Sequence, residues 1–214
     1  MSLNICEIFH SLQGESTFAG RPCVFVRLSG CNLDCAWCDT RYAETEAHPM
    51  SVDEIVDRVA GFNCNLVEVT GGEPLLQEQT PVLVDRLLAA GRQVLMETNG
   101  SLDISLVDPG CIRIVDVKCP SSNAGGSFLE ANYAHLTPRD EIKFVVGSRM
   151  DYEFARKIIR DRLAGHPGQR IHLSPVFGTI TPAHMAWWIL EDGLDARLSL
   201  QQHKLIWHPE ERGV

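Results

Sequence analysis

Three cysteines, Cys31, Cys35 and Cys38, sit close together in the stretch GCNLDCAWCDT. A deprotonated thiol is a nucleophile and a soft metal ligand, so thiols gathered this tightly point to metal binding or redox chemistry. The CxxxCxxC spacing also matches one face of a helix, where small buried cysteines could sit. Gly30, Asn32, Asp34 and Asp39 are turn formers that interrupt such a helix, so the stretch reads as a loop aiming three thiolates at one spot. Structural zinc takes four ligands, commonly two CxxC-like pairs, and no second pair exists among Cys6, Cys23, Cys64, Cys111 and Cys119. Those five read as small buried hydrophobes. A fully ligated four-iron cluster also takes four cysteines. Three thiolates leave one iron without a protein ligand, and an open coordination position marks a metal centre that binds a reactant.

Metal or catalytic use of cysteine suits a reducing compartment. The N-terminal MSLNICEIFHSLQGE has no basic stretch ahead of an apolar one, so no secretory leader is expected and the cytoplasm is the expected location. No apolar run is long enough to span a bilayer, so no membrane partner is expected. The formal charge of −9 argues against a broad electrostatic grip on nucleic acid and favours a small-molecule substrate.

The elements that must hold the thiol loop follow an α/β rhythm. Strands are expected at 24–30, 66–72, 93–100, 112–118, 141–147 and 170–176, several of them near-continuous apolar runs as in parallel sheets covered on both faces. Helix starts are expected at Ser51 with Glu54 as a capping box, at Thr80-Pro81 and at Thr181-Pro182. The clearest amphipathic helix is expected over 151–165, closed by Gly165. A chain of 214 residues suits one domain, 1–214, built as a partial, open TIM-like barrel of about six βα units. Ligands in such folds gather at the carboxyl ends of the strands, where VTGGEP (69–74), ETNG (97–100), DVK (116–118) and SPVF (174–177) fall.

CxxxCxxC after a first strand, with aromatic Trp37 before the last cysteine, resembles the radical S-adenosylmethionine (SAM) superfamily. That resemblance implies a [4Fe-4S] cluster on Cys31, Cys35 and Cys38, with SAM chelating the open iron and yielding a 5′-deoxyadenosyl radical. It implies further that Trp37, Cys38 and Asp39 line SAM, that Gly72 and Glu73 border its amino group, and that Thr70 faces substrate. Glu97, then Asp116, Val117 and Lys118, and Ser174, Pro175, Val176 and Phe177 are assigned to SAM by position. The residues alone leave other readings open: paired glycines or Asn99-Gly100 would equally make turns, and Asp116 with Lys118 would equally make a structural ion pair.

Arg27 lies within an otherwise apolar strand and requires an anion, either a ligand carboxylate or a protein acid such as Glu15. Thr40 adds a hydroxyl suited to a hard cation. Taken with LQGE and the C-terminal SLQQHK, the whole set is similar to the superfamily branch that converts 6-carboxy-5,6,7,8-tetrahydropterin to 7-carboxy-7-deazaguanine with loss of ammonia, on the route to queuosine. This implies that Leu12, Gln13 and Gly14 hold the pterin, that Arg27 holds its carboxylate and that Thr40 ligates Mg²⁺. A homodimer and an external electron donor such as a flavodoxin are implied as well. Glycyl-radical-enzyme activases share the cysteine spacing and small size, and a non-catalytic zinc or electron-transfer module is the rival from another class. The residues after Lys204 are assigned no role.

Overall fold

A computed structural model describes residues 2–214. Nine strands form one sheet in the order β3-β1-β2-β4-β5-β6-β7-β8-β9. Six of them run parallel in chain order: β2 (Pro22–Leu28), β4 (Leu66–Gly71), β5 (Gln93–Thr98), β6 (Ile112–Asp116), β7 (Glu141–Val146) and β8 (Ile171–Pro175). These are the six expected strands, and the sheet stays open, so the partial-barrel expectation describes it. Both edges are extended beyond expectation. β1 (Ser2–Leu12) and β3 (His48–Ser51) add an antiparallel margin beside β2, and β9 (Arg197–Leu198) adds a short parallel strand beside β8. The SLQGE segment therefore leaves a strand rather than preceding the first one.

Along the parallel strands successive side chains alternate between two environments, as the period of two requires. Val24, Val26, Leu28, Val67, Val69 and Met96 face one core with Ile55, Val59, Leu83, Val84 and Leu87. Those last five come from α1 (Val52–Ala60) and α2 (Thr80–Ala89). Phe144, Val146 and Leu173 pack with Tyr152, Ala155, Ile159 and Met185 of α3 (Arg149–Arg162) and α4 (Pro182–Glu191) in a second core. The opposite face carries one or two polar groups per strand: Arg27, Glu68 and Thr70, Glu97, Asp116, and Lys143. The expectation of runs covered by apolar matter on both faces is corrected accordingly, because one face of the sheet lines a polar cavity.

The helix caps follow local chemistry, with three departures. Ser51 makes the capping box with Glu54, and Thr181 accepts from the His184 amide. Thr80 is already inside α2, its hydroxyl donating to the Pro74 carbonyl at 2.6 Å, so Gln79 takes the cap position. α3 starts earlier than 151 because Ser148 accepts from the Asp151 amide, and it ends at Arg162, ahead of Gly165. The β5 to β6 and β6 to β7 connections carry only short 3₁₀ turns, so these two crossovers lack an α-helix. None of the described helices is long and apolar enough to cross a membrane.

Candidate active site

The thiol loop follows β2 and is held from three sides. Gly30 and Glu73 exchange contacts across it, with the Gly30 amide donating to Ala43 and the Glu73 amide to Gly30. Asn99, just after β5, donates to Asn32 at 3.0 Å, and Asn32 donates to Ser101. The Ala36 amide reaches the Ser122 carbonyl beyond β6. A side chain on Gly72 would place its Cβ 2.1 Å from the Gly30 oxygen and 2.8 Å from the Cys31 Cβ, so the glycine lets the end of β4 support the thiol loop directly. Cys31, Cys35 and Cys38 are each half-buried and face one cavity of about 320 Å³, while the other five cysteines are buried as expected. Burial raises the Cys31 and Cys35 thiols above their ordinary value.

The cavity brings together nearly all the residues singled out in the sequence: Leu12, Gln13, Gly14, Arg27, Trp37, Asp39, Thr40, Thr70, Gly72, Glu97, Asp116, Lys118, Val176 and Phe177 line it with the three thiols. Four others do not. Glu73 is fully buried and accepts from Leu75 N, Thr98 Oγ1 and Asn99 N at 2.7–3.0 Å, which makes it a brace between two strand ends. Val117 packs in the second core. Ser174 and Pro175 are buried within β8, away from the cavity lining. Glu73 is turned inward by its hydrogen bonds, Val117 and Pro175 sit one step out of phase with Lys118 and Val176, and Ser174 shares the phase of Val176 but is buried and does not reach the lining.

Arg27 pairs with Glu7 of β1 and not with Glu15. Its Nε donates to Glu7 Oε1 at 2.8 Å, and Tyr42 Oη donates to the same oxygen at 2.9 Å. The guanidinium carbon lies 5.7 Å and 6.0 Å from the Phe9 and Tyr42 ring centroids. Among the described residues the two terminal nitrogens have no hydrogen-bond partner, so the fork available for a carboxylate opens into the cavity. Glu15 instead pairs with Lys143 at 2.5 Å, and Lys143 also holds Glu97 at 2.6 Å. Burial works against the Lys143 charge, but these two carboxylates hold its pKa well above the ordinary lysine value. Burial alone would raise Glu15, and Lys143 pulls it below the usual carboxylate range.

Asp116 accepts from Lys118 at 2.8 Å through Oδ2, while its other oxygen, Oδ1, is buried without a partner. A buried orphan acceptor beside half-exposed thiols fits a ligand that brings hydroxyl or ammonium donors, as SAM does. Three thiols from one loop suit three irons of a cluster. Among the described residues no three His, Cys, Asp or Glu side chains converge tightly enough to enclose a single metal ion.

Several cavity residues were missed in the sequence. Glu68 and Lys143 were legible as charged residues inside apolar strands, the same signal that singled out Arg27. The C-terminal SLQQHK contributed to the resemblance, but the contacts it makes had no local signal. Gln201 donates to Glu15, Lys204 pairs with Asp39 at 2.7 Å, and the Gln202 amide donates to the Gly14 carbonyl. His203 packs so closely on Gly14 that a Cβ there would meet His203 Nδ1 at 2.3 Å. Burial lowers the His203 pKa, so its ring stays neutral near pH 7. Residues 209–214 also border the cavity, and Arg212 holds Glu46 through two nitrogens while lying 3.6 Å from the Tyr42 ring centroid. The residues after Lys204, left without a role by the sequence, therefore form part of the wall.

An open parallel sheet with a three-thiol loop after its first parallel strand, facing a polar cavity, defines a radical SAM core. The Radical SAM superfamily pattern matches residues 25–114. A 7-carboxy-7-deazaguanine synthase of Koribacter versatilis is 48% identical over 99% of this chain and 100% of its own length. That of Chlorobaculum tepidum is 47% identical over 99% and 97%. The crystal structure of QueE from Escherichia coli superposes with a TM-score of 0.77 at 27% identity, covering 95% of each chain. The chain belongs to the 7-carboxy-7-deazaguanine synthase family of radical SAM enzymes, and the activase and zinc-module readings fall away.

Proposed function

We propose that this enzyme converts 6-carboxy-5,6,7,8-tetrahydropterin to 7-carboxy-7-deazaguanine with loss of ammonia, and that Arg27 fixes the substrate by its carboxylate. The observation that carries this reading is the pair of free guanidinium nitrogens opening into the cavity that the three thiols also face. Cys31, Cys35 and Cys38 would hold the cluster, and Asp116, Lys118, Trp37 and Gly72 would border SAM. When bound, cluster and SAM supply the one-electron chemistry that removes a hydrogen atom from substrate. The chain's own contribution is placement and exclusion of water. Gln13 and Gly14 shape the floor, and Thr70, the register partner of Arg27, sits beside it.

Thr40, beside Cys38, offers one hydroxyl to Mg²⁺, with substrate oxygens and water completing the shell. A homodimer in the cytoplasm, reduced by a flavodoxin-type donor, completes the proposal on the strength of family resemblance. The test is an anaerobic turnover of the iron-loaded enzyme with SAM, reductant and 6-carboxytetrahydropterin. The mass of 7-carboxy-7-deazaguanine, dependent on all three, is the expected result. Deoxyadenosine formed only in uncoupled traces, with no deazaguanine, would overturn the substrate assignment.

A further inference from the structure

Apart from the exposed Glu44, Glu210 and Glu211, the cavity's acids are paired with cations, with one deep exception. Asp116 has Lys118, Glu15 and Glu97 share Lys143, Asp39 has Lys204, and Glu7 has Arg27. Glu68, on the cavity face of β4 and 2% exposed, forms no ion pair. Its protein partner is the Gln13 side-chain amide, which donates to Oε2, while Gln13 Oε1 accepts from the Glu15 amide. The groups facing it are Gln13 and Glu15 from the loop after β1, Glu97 of β5 and Lys143 of β7. In register, Glu68 stands opposite Phe25, and Thr70 opposite Arg27, so Glu68 lies one layer deeper than the carboxylate-binding fork.

A buried carboxyl without a cation is costly unless donors reach it. Gln13 supplies one donor, and the face of Glu68 toward the cavity awaits others. Two parallel N–H groups on a planar ring are the arrangement a carboxylate accepts best. We propose that Glu68, steadied by Gln13, reads the 2-amino-4-oxo edge of the substrate, its carboxylate accepting from the ring N3–H and the exocyclic 2-amino group. The inference rests on the pterin substrate proposed above. That substrate carries its carboxylate at the far end of the bicycle from this edge. A ligand held by the shallow Arg27 at one end and the deep Glu68 at the other is fixed in direction as well as position.

The electrostatics agree with this arrangement. Burial, reinforced by Glu97, raises the Glu68 carboxyl to about 8, so without ligand it is mostly protonated at pH 7. Two ligand donors would favour the ionised form, so binding would release a proton near neutral pH and progressively less of one as pH rises past 8. Affinity would correspondingly tighten as pH rises toward 8 and then level off.

The test is calorimetric binding of the product, 7-carboxy-7-deazaguanine, which keeps the same edge, to the iron-loaded, SAM-bound enzyme. Titrations run in buffers of different ionisation enthalpy count the protons. A 2-deamino analogue is titrated alongside, and Glu68→Gln is compared with wild type. The expected result is a loss of roughly 10- to 150-fold in product affinity for Glu68→Gln, the range for hydrogen bonds to a charged group, with proton release abolished. The analogue should bind wild type weakly and lose little further in the variant. Product binding unchanged by Glu68→Gln with proton release intact would overturn the inference. So would an analogue that binds wild type as tightly as product, a comparison that holds even if the variant fails to fold. If wild type binds SAM but no 2-amino-4-oxo ligand, the substrate reading fails. If it binds product in an Arg27-dependent way that is indifferent to Glu68, that reading stands and only this inference falls.

Discussion

Replacing Arg27 by alanine removes a guanidinium that touches Glu7 through Nε and leaves its two outer nitrogens free. The two roles carry different magnitudes. Glu7 keeps the Tyr42 hydroxyl, and its side chain is 20% exposed, so it can rehydrate, and the fold should lose only about 1 to 2 kcal/mol. Substrate loses both arms of a charge-assisted fork in a site where the arginine side chain is 14% exposed, a loss of about 2 to 5 kcal/mol. At tenfold per 1.4 kcal/mol, that is roughly a 30- to 4,000-fold rise in the dissociation constant. Arg27→Lys keeps a point charge without the fork and should lie between the two, about tenfold weaker than wild type. Equilibrium binding of substrate to the SAM-loaded enzyme measures the effect, with SAM affinity as the internal control. Substrate affinity within threefold of wild type in Arg27→Ala, or a parallel loss of SAM affinity, would refute the assignment.

Other perturbations separate structure from chemistry. Gly72→Ala forces a Cβ into the Gly30 carbonyl and the Cys31 side chain, so iron and sulfide content after anaerobic reconstitution should fall well below the roughly four irons expected of wild type. Lys143→Met leaves Glu15 and Glu97 without their cation and should cost about 2 to 4 kcal/mol in urea unfolding at pH 8, less at pH 5, where Glu15, no longer held down by Lys143, can take up a proton. Adding Glu97→Gln should recover part of that loss. Glu141 is fully buried, and burial works to raise its carboxyl, but His172 and Thr17 hold it below the usual range. Its charge therefore stabilises the fold above the ordinary carboxylate pKa of about 4.3, and that stability is lost as pH falls through the lower folded value. Glu141→Gln should be about 3 kcal/mol less stable than wild type at pH 7 and converge with it in acid.

The parallel strands were legible because most are short apolar runs followed by glycine, asparagine or aspartate, and the thiol loop because its spacing stands against turn residues. β1 escaped because SLNICEIFHSL has no turn signal before it and alternates apolar with polar residues. A strand with one face toward solvent shows that alternation, whereas a parallel strand covered on both faces does not. β3, of four residues, borrows its conformation from pairing with β1, a non-local cause that no local pattern carries. The GGE segment was legible as a motif but not in its role. Glu73 ends among three donors and braces two strand ends, and this follows from where β5 lies, not from the residues beside it. The contacts of the C-terminal wall were illegible for the same reason, since Gln201 meets Glu15 across the chain.

The distribution of pairing within the cavity explains how a site rich in both signs of charge can still orient one ligand. Lys118, Lys143 and Lys204 each lie against a carboxylate, so none presents a free cation to an incoming anion without breaking a pair. Arg27 alone combines a pinned Nε with two open donors, because Glu7 meets it from the side. A ligand carboxylate settling on any lysine would leave a protein acid buried and unmatched, a penalty of several kcal/mol that the Arg27 position avoids. The same reasoning runs in reverse for donors. Glu15, Glu97 and Asp39 already accept from cations, so a donor-rich edge gains most at the unpaired carboxyl, Glu68. Arg27, shallow on β2, and Glu68, deep on β4, thereby set the direction in which a molecule acidic at one end and donor-rich at the other can lie.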